Sequence, residues 1–198
     1  IIAVTGASGA GTPAVRHAFE NLFRREINVR AAFIEGAGLH SLDRTAFHAA
    51  ATEAAKAGNN TFSHFGPEAN HFDKIEEMFR NYGETGICKR RYYVHSDAEA
   101  ERHNKHFGLT DLKPGIFTPW EDIEANSDLL IYEGVHGLVA DGANNIDGGK
   151  HVDFGVGVVP VVNLEWIQKI HRDKAERGYS TEATVDTIMR RMPDYIKF

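Results

Sequence analysis

The chain has 198 residues, of which 42% are hydrophobic and 25% charged, and its formal net charge is -6. These values are typical of a single soluble globular domain with its own core. The acidic charge argues against a nucleic-acid-binding protein, which needs a basic face. The single cysteine, Cys88, excludes an internal disulfide and predicts a reducing, cytoplasmic setting. Neither a long apolar run nor a signal-peptide pattern is present, so we expect no membrane insertion.

The amino-terminal stretch predicts a strand, a glycine-rich loop and a helix. Residues 1–5 form a β-branched apolar run, three glycines follow within six residues, and apolar residues recur at helical spacing over 15–23. Glycines let backbone N–H groups converge on an anion, and the helix adds its positive N-terminal end. The predicted phosphate-binding residues are Gly6, Ala7, Ser8, Gly9, Ala10, Gly11 and Thr12.

The loop pattern alone leaves its ligand open. The spacing Gly6-x4-Gly11 matches the first half of the P-loop motif, but Thr12 and Pro13 stand where Lys and Ser or Thr are usual. A dinucleotide-binding turn, with the pattern G-x-G-x-x-G, is also only approximated. A glycine turn without a ligand is the third possibility.

Strands that alternate with helices predict a parallel α/β sheet, in which ligands bind beyond the carboxyl ends of the strands. A second strand is predicted over 29–34, and His40 and Arg44 follow it. Both side chains are therefore expected near the glycine loop. The alternative is that they lie on the surface of the following helix.

The middle of the chain is predicted to be mostly helix and loop. Helices are expected over 45–58 and 71–82, with an aromatic, polar loop between them that suits either a sugar pocket or local packing. The basic run at 89–95 predicts a short strand that is a solvated edge or a phosphate contact. Residues 96–127 are polar and rich in histidine, and they are predicted to form a surface excursion that could carry a lid.

A third apolar strand, over 128–136, carries an acidic residue near its end, Glu133. A carboxylate at this position of a parallel strand is typical of the Walker-B arrangement, in which it meets Mg²⁺ or a water bound to it. The alternative is a glutamate that caps a neighbouring helix. A further strand is predicted over 156–162, with Pro160 favouring an edge position.

The helix that follows places four charged residues on one side at spacings of three and four. By default this is a solvated salt-bridge face. Because the glycine loop lacks a lysine, and phosphoryl transfer needs a cation, residues 163–192 are alternatively a lid-like helical region that supplies one. The four residues are Lys169, Arg172, Asp173 and Arg177.

Together these residues resemble the phosphoribulokinase family in its bacterial form. The resemblance rests on VTGASGAGT (4–12), FSHF (62–65), YEGVHG (132–137) and the run over 158–178, continuing to 190–192. It covers essentially the whole chain. Family members extend well beyond residue 198, so we expect that a C-terminal part is missing here.

The resemblance implies an α/β P-loop NTPase fold, with a nucleoside-monophosphate-kinase-like sheet flanked by helices in one kinase domain over 1–198. It implies transfer of the γ-phosphoryl of ATP, with Mg²⁺, to O1 of ribulose 5-phosphate. The product would be ribulose 1,5-bisphosphate for carbon fixation in the Calvin cycle. A cytoplasmic homo-oligomer that responds to NADH is also implied.

The resemblance further implies roles for particular residues. Lys169 matches the catalytic lysine, which explains why the loop has none, and Arg172 would assist phosphoryl transfer. Glu133 and Asp173 would serve the metal or catalysis. The residues implied to bind the sugar phosphate are His40, Arg44, His95 and Arg177.

Two departures from the family pattern put turnover in doubt. Ala37 stands where the family has an aspartate, taken as the base for O1, and Pro13 replaces a residue whose hydroxyl can bind Mg²⁺. Proline fits a first helical turn, so the loop should survive. Loss of a general base lowers the reaction rate by a factor on the order of 10² to 10⁴. We expect an intact fold with depressed turnover, and Ala37→Asp to raise kcat at least about tenfold.

Parts of the sequence also suggest two other functions. A catalytically impaired homologue that holds nucleotide is the main alternative, and the residues at 13 and 37 favour it. A short-chain dehydrogenase is suggested by the run over 4–8. That class needs a Tyr-x3-Lys pair, and no tyrosine in this sequence has a lysine four residues later.

Overall fold

A computed structural model describes residues 1–26, 28–124 and 126–197 of the chain. The strands are β1 (Ile2–Thr5), β2 (Ala31–Glu35), β3 (Lys89–Arg90), β4 (Glu121–Asp122), β5 (Leu129–Gly134), β6 (Ala140–Asp141), β7 (Ile146–Asp147) and β8 (Phe154–Gly157). The helices are α1 (Thr12–Asn21), α2 (Arg44–Lys56), α3 (Phe72–Thr85), α4 (Asp97–Phe107), α5 (Val162–Arg177), α6 (Thr181–Arg190) and α7 (Met192–Lys197).

The central sheet has the strand order β2-β5-β1-β8, and its strands are parallel. In the register, Thr5 lies opposite Gly134 on one side and Gly157 on the other, and Glu35 lies opposite Glu133. The carboxyl ends of all these strands therefore meet at one edge. This is the edge at which α/β sheets bind ligands.

Each face of the sheet packs against a different set of apolar residues. On one face, Ile34, Leu130 and Tyr132 pack against the buried side of α3. On the other, Val4 and Ile131 pack against apolar side chains of α1 and the turn after it. Strand residues buried on both faces are typical of parallel sheets, and the predicted α/β class is confirmed.

The predicted strand over 156–162 is wrong in its bounds. The strand ends at Gly157, and α5 begins at Val162. Pro160 has no N–H to donate to a neighbouring strand, and φ -61° and ψ 139° at Val161 place that residue at the helix N-cap. The chain therefore leaves the sheet earlier than its apolar run indicates, directly beside the glycine loop.

The basic run at 89–95 is a strand only over Lys89–Arg90. Its prediction as a solvated edge is wrong for the two arginines, and whether the run contacts a phosphate stays a prediction. Arg90 pairs with Glu121 and Glu124, and Arg91 lies over the rings of Phe117 and Trp120. Both guanidinium groups are used inside the fold.

Residues 96–127 include α4 and β4, and β4 pairs antiparallel with β3. Whether the segment carries a lid stays a prediction. Across the described ranges, no helix combines the length and apolar character that a membrane span requires.

Candidate active site

The glycine loop joins β1 to α1 and closes under α5. Gly9 and Gly11 have φ values of 103° and 98°, which side-chain-bearing residues rarely adopt. A Cβ at Gly9 would lie 2.7 Å from the Glu165 carbonyl oxygen and 2.9 Å from Lys169 Cβ. The loop therefore needs glycine for its backbone conformation and also for the close approach of α5.

Glu133 and Thr12 meet at the mouth of this loop. Thr12 Oγ1 donates a hydrogen bond to Glu133 Oε1 at 2.5 Å, and Thr12 is only 6% exposed. Burial raises the pKa of the Glu133 carboxyl, while the Thr12 hydrogen bond and the charge of Arg16 oppose the rise. Two oxygen atoms of the type that Mg²⁺ prefers thus lie side by side at the carboxyl edge of the sheet.

The described residues contain no group of three or more His, Cys, Asp or Glu side chains able to hold a metal ion. Mg²⁺ commonly uses one or two protein oxygens and completes its shell with phosphate and water. Thr12 and Glu133 therefore fit the metal that the family resemblance implies.

Asp173 on α5 accepts hydrogen bonds from three cationic side chains. Its Oδ2 accepts from Lys169 Nζ at 2.8 Å, and its Oδ1 accepts from Arg172 Nη2 at 2.7 Å and Arg177 Nη1 at 3.4 Å. Burial raises the pKa of Asp173, but the hydrogen bonds of Lys169 and Arg172 outweigh it and hold the pKa below its usual value. Both carboxylate oxygens are occupied by cations, so this geometry favours an orienting role over metal binding.

The cations of α5 lie over the glycine loop. Arg172 Nη2 donates to Ser8 Oγ at 3.1 Å, and the Lys169 stem contacts Gly9 as described above. Burial lowers the pKa of Lys169, and the charge of Asp173 opposes this effect. The predicted site residues Lys169, Arg172 and Asp173 are thus together at the loop, although they lie more than 150 residues from it in sequence.

The side chains predicted to bind a sugar phosphate converge beside this cluster. Burial lowers the pKa of His95 to about 3, and the positive charges of Arg177, Arg172 and Arg44 lower it further. Arg44 is fixed by its backbone N–H, which donates to Gly115 O at 2.8 Å. The charge of His40 also acts on His95. Positive charge is therefore concentrated around His95 beside the loop, which suits an anion.

Arg91 from the basic run and Asn70 from the aromatic, polar loop hold this group of residues together through contacts that the sequence patterns do not predict. Arg91 donates from Nε to Gly38 O at 2.7 Å and from Nη2 to His40 O at 2.8 Å, which fixes the turn after β2. Asn70 Oδ1 lies 2.7 Å from His40 Nδ1. In these three contacts the partner is 30 to 53 residues away, and in two of them it is a backbone oxygen. A spacing pattern in the sequence therefore does not predict them.

Other carboxylates at this edge have partners within the fold. Glu35, at the end of β2, accepts from Arg16 Nη1 at 2.9 Å. Ala37 follows it in the 3₁₀ turn Gly36–Leu39, and its methyl group has no acid–base chemistry. The chain therefore presents no carboxylate at position 37, as the sequence indicates.

A parallel sheet, a glycine loop between its first strand and first helix, and a cationic helix over that loop define a P-loop NTPase fold of the kinase type. The profile of the phosphoribulokinase/uridine kinase family matches residues 1–198. The chain therefore belongs to the phosphoribulokinase/uridine kinase family.

Individual relatives agree with this assignment. The chain is 51% identical over 198 residues to a protein named phosphoribulokinase from Nitrobacter vulgaris, covering 65% of that protein. It is 52% identical over 196 residues to phosphoribulokinase 1 of Cereibacter sphaeroides, covering 64% of it. The solved phosphoribulokinase from Rhodobacter spheroides superposes with a TM-score of 0.77 at 45% identity, over all of this chain and 64% of that one. The chain thus spans slightly less than two thirds of these relatives.

Proposed function

We propose that this chain is the kinase part of a phosphoribulokinase, which transfers the γ-phosphoryl of ATP to O1 of ribulose 5-phosphate and releases ribulose 1,5-bisphosphate. The product would enter carbon fixation in the Calvin cycle. The observation that carries the proposal is the contact of Lys169 and Arg172 with the glycine loop, in a chain about half identical to proteins named phosphoribulokinase.

The nucleotide would lie with its phosphates against the backbone N–H groups of residues 6–12. The N-terminal end of α1, which begins at Thr12, adds its partial positive charge there. Lys169 and Arg172 would neutralise the charge that develops on the transferred phosphoryl group. Asp173 holds both cations in place before the nucleotide arrives, which reduces reorganisation during the reaction.

Thr12 and Glu133 would hold Mg²⁺, which supplies charge neutralisation on the β- and γ-phosphates when it is bound. The ribulose 5-phosphate would enter from the side of Arg44 and Arg177, whose positive charges suit its phosphate. Residues 1–198 would act as one kinase domain, with 163–192 as the cover of the loop. Cytoplasmic location, homo-oligomer formation and a response to NADH belong to the same proposal.

The experiment is an ADP-release assay with ATP, Mg²⁺ and ribulose 5-phosphate, with uridine as the competing acceptor because the family includes uridine kinases. We expect turnover with ribulose 5-phosphate and formation of the bisphosphate. Lys169→Met should lower kcat by about 10² or more, because it removes a cation from the transition state. Lys174→Met, an exposed change on the same helix, is the matched control and should leave kcat unchanged.

A catalytically impaired nucleotide-binding homologue is the competing function, favoured by Ala37 and Pro13. The two functions separate when ATP affinity is measured beside single-turnover transfer. ATP binding without transfer to either acceptor would support the impaired homologue and contradict the kinase.

A further inference from the structure

Tyr132 lies beneath the turn that follows β2. Its side chain is fully buried, and its ring meets the ring of Phe79 edge-on, with 5.4 Å between the centroids. A Cβ added at Gly36 would overlap the Tyr132 hydroxyl oxygen, and one added at Gly134 would lie 3.1 Å from it. The hydroxyl therefore lies between the backbone segments that leave β2 and β5, against the first residue of the turn Gly36–Leu39.

The hydroxyl proton of Tyr132 has no acceptor within the described residues. The backbone N–H of His136 faces the oxygen and lowers the pKa of Tyr132, but an N–H group only donates. Burial is the larger effect and raises this pKa, so the hydroxyl keeps its proton at neutral pH. A buried donor without an acceptor destabilises a fold, whereas phenylalanine would fill the same space without this penalty. An unpaired buried group in a native protein needs a physical explanation, and function is one.

The turn above the hydroxyl is held at its far end. Arg91 donates there to Gly38 O and His40 O, as described above. Gly36, at the near end, has no side chain, which lets its backbone touch the hydroxyl and leaves its dihedral angles free to change. A small rotation there would turn a backbone carbonyl oxygen toward the unpaired proton. The turn therefore has one anchored end and one end that can close on Tyr132.

We propose that Tyr132 is a positioning residue for the acceptor. When ribulose 5-phosphate binds, the near end of the turn closes, and a backbone carbonyl oxygen there accepts a hydrogen bond from the Tyr132 hydroxyl. The inference rests on the proposed function, because this turn leads to His40 and Arg44, the side chains implied to bind the sugar phosphate. The free protein carries the unpaired hydroxyl and the complex pairs it, so binding favours the closed turn. Tyr132 itself does not touch the substrate.

Tyr132→Phe removes the hydroxyl and keeps the ring. Without acceptor, the urea midpoint of unfolding should equal or exceed that of the wild type, because the free protein loses no hydrogen bond. Calorimetric titration with ribulose 5-phosphate, in the presence of Mg²⁺ and a non-hydrolysable ATP analogue, should show a Kd raised about threefold to tenfold, the change expected for one neutral hydrogen bond. The KM for ribulose 5-phosphate should rise by the same factor, with kcat and the Kd for ATP unchanged.

Tyr82→Phe is the matched control, because it makes the same change within the same core cluster. The Tyr82 hydroxyl lies 3.0 Å from Ser127 Oγ, so it is paired in the free protein. This variant should unfold at a lower urea concentration than the wild type and keep the wild-type Kd and KM for ribulose 5-phosphate. The two variants should therefore show opposite patterns of stability and acceptor affinity, which a purely structural role of Tyr132 would not produce.

A Tyr132→Phe chain that unfolds at a lower urea concentration than the wild type would show that the hydroxyl is already paired in the free protein, for instance by a bound water, and would refute the proposal. An unchanged Kd and KM for ribulose 5-phosphate, in a chain that forms the bisphosphate, would overturn the positioning role while the kinase function stands. A wild-type chain that neither binds ribulose 5-phosphate nor forms the bisphosphate would overturn the kinase function and the positioning role together.

Discussion

Lys169 Nζ lies 2.8 Å from Asp173 Oδ2, one turn apart on α5, while the stem of the same lysine contacts Gly9 in the glycine loop. Asp173 is 3% exposed and also accepts from two arginines. The carboxylate therefore fixes the direction of the cations that face the loop. Asp173→Asn should lower kcat by about 10² to 10³ and leave the Kd for ATP within a few-fold, because the loop amides remain.

The matched control for that change is Asp186→Asn, which breaks an exposed ion pair with Arg190 on α6. We expect it to leave kcat unchanged. An Asp173→Asn chain whose kcat stays within about twofold of the wild type would contradict the orienting role, because removing a group that is preorganised for the transition state costs much more than this.

The hydrogen bond between Thr12 and Glu133 gives a second prediction. Thr12→Val keeps the shape of the side chain and removes the hydroxyl, so one of two oxygens that fit Mg²⁺ is lost. The Mg²⁺ concentration for half-maximal turnover should rise about 10–100-fold. Titrating Mg²⁺ at fixed ATP measures this. Thr52→Val, in an exposed helix position, should give the wild-type curve.

Arg91 is predicted to act through the turn that carries His40. Arg91→Lys keeps the charge but cannot reproduce the planar contacts with Gly38 O and His40 O. The KM for ribulose 5-phosphate should rise at least about tenfold, as expected for loss of a charged hydrogen bond, with the ATP Kd unchanged. Arg80→Lys, exposed on α3, is the control, and equal KM values in the two variants would refute the positioning role.

The buried histidines predict a loss of stability in mild acid. Burial lowers the pKa of His64 to about 2, of His95 to about 3 and of His136 to about 4. The unfolded chain has histidine pKa values of about 6.5, so below that pH the unfolded state binds more protons than the folded state. Stability is full above pH 6.5 and should fall on acidification, by up to about 1.4 kcal/mol per pH unit for each histidine.

Urea unfolding at pH values from 8 to 5 measures this dependence. His136→Gln keeps a donor for His64 O and removes one titrating group, so its curve should be shallower. His17→Gln, on an exposed site, should follow the wild type. A free energy of unfolding that is constant from pH 7 to pH 5 would contradict the prediction, because it would show that these histidines take up protons at the same pH in the folded and the unfolded chain.

The sequence predicts the parts of this protein whose signals are local. The β1 strand, the glycine loop and α1 are continuous in sequence, and the polar end of β5 carries Glu133 in the register expected of a parallel sheet. The bounds of β8 were missed because an apolar run does not reveal where the chain turns from strand to helix.

The hydrogen-bond partners of Asn70 and Arg91 could not be predicted from the sequence, and the physical reason is a different one. Arg91 donates to backbone oxygens 53 and 51 residues away, and Asn70 donates to backbone oxygens 6 and 4 residues away. Every residue supplies such oxygens, so no residue type marks the partner. The roles given to Lys169, Arg172 and Asp173 came from a family resemblance and from the need for a cation. The structure brings these residues to the loop, and their functions remain predictions.

The central claim is that the loop amides bind the phosphates of ATP while α5 supplies the cation that neutralises the transferred group. A crystal structure of the chain with Mg²⁺ and a non-hydrolysable ATP analogue tests it most directly. We predict the phosphates against the N–H groups of residues 6–12, with Lys169 Nζ about 3 Å from a γ-phosphate oxygen. An analogue bound elsewhere, or a Lys169 that points away from the phosphates, would contradict the claim.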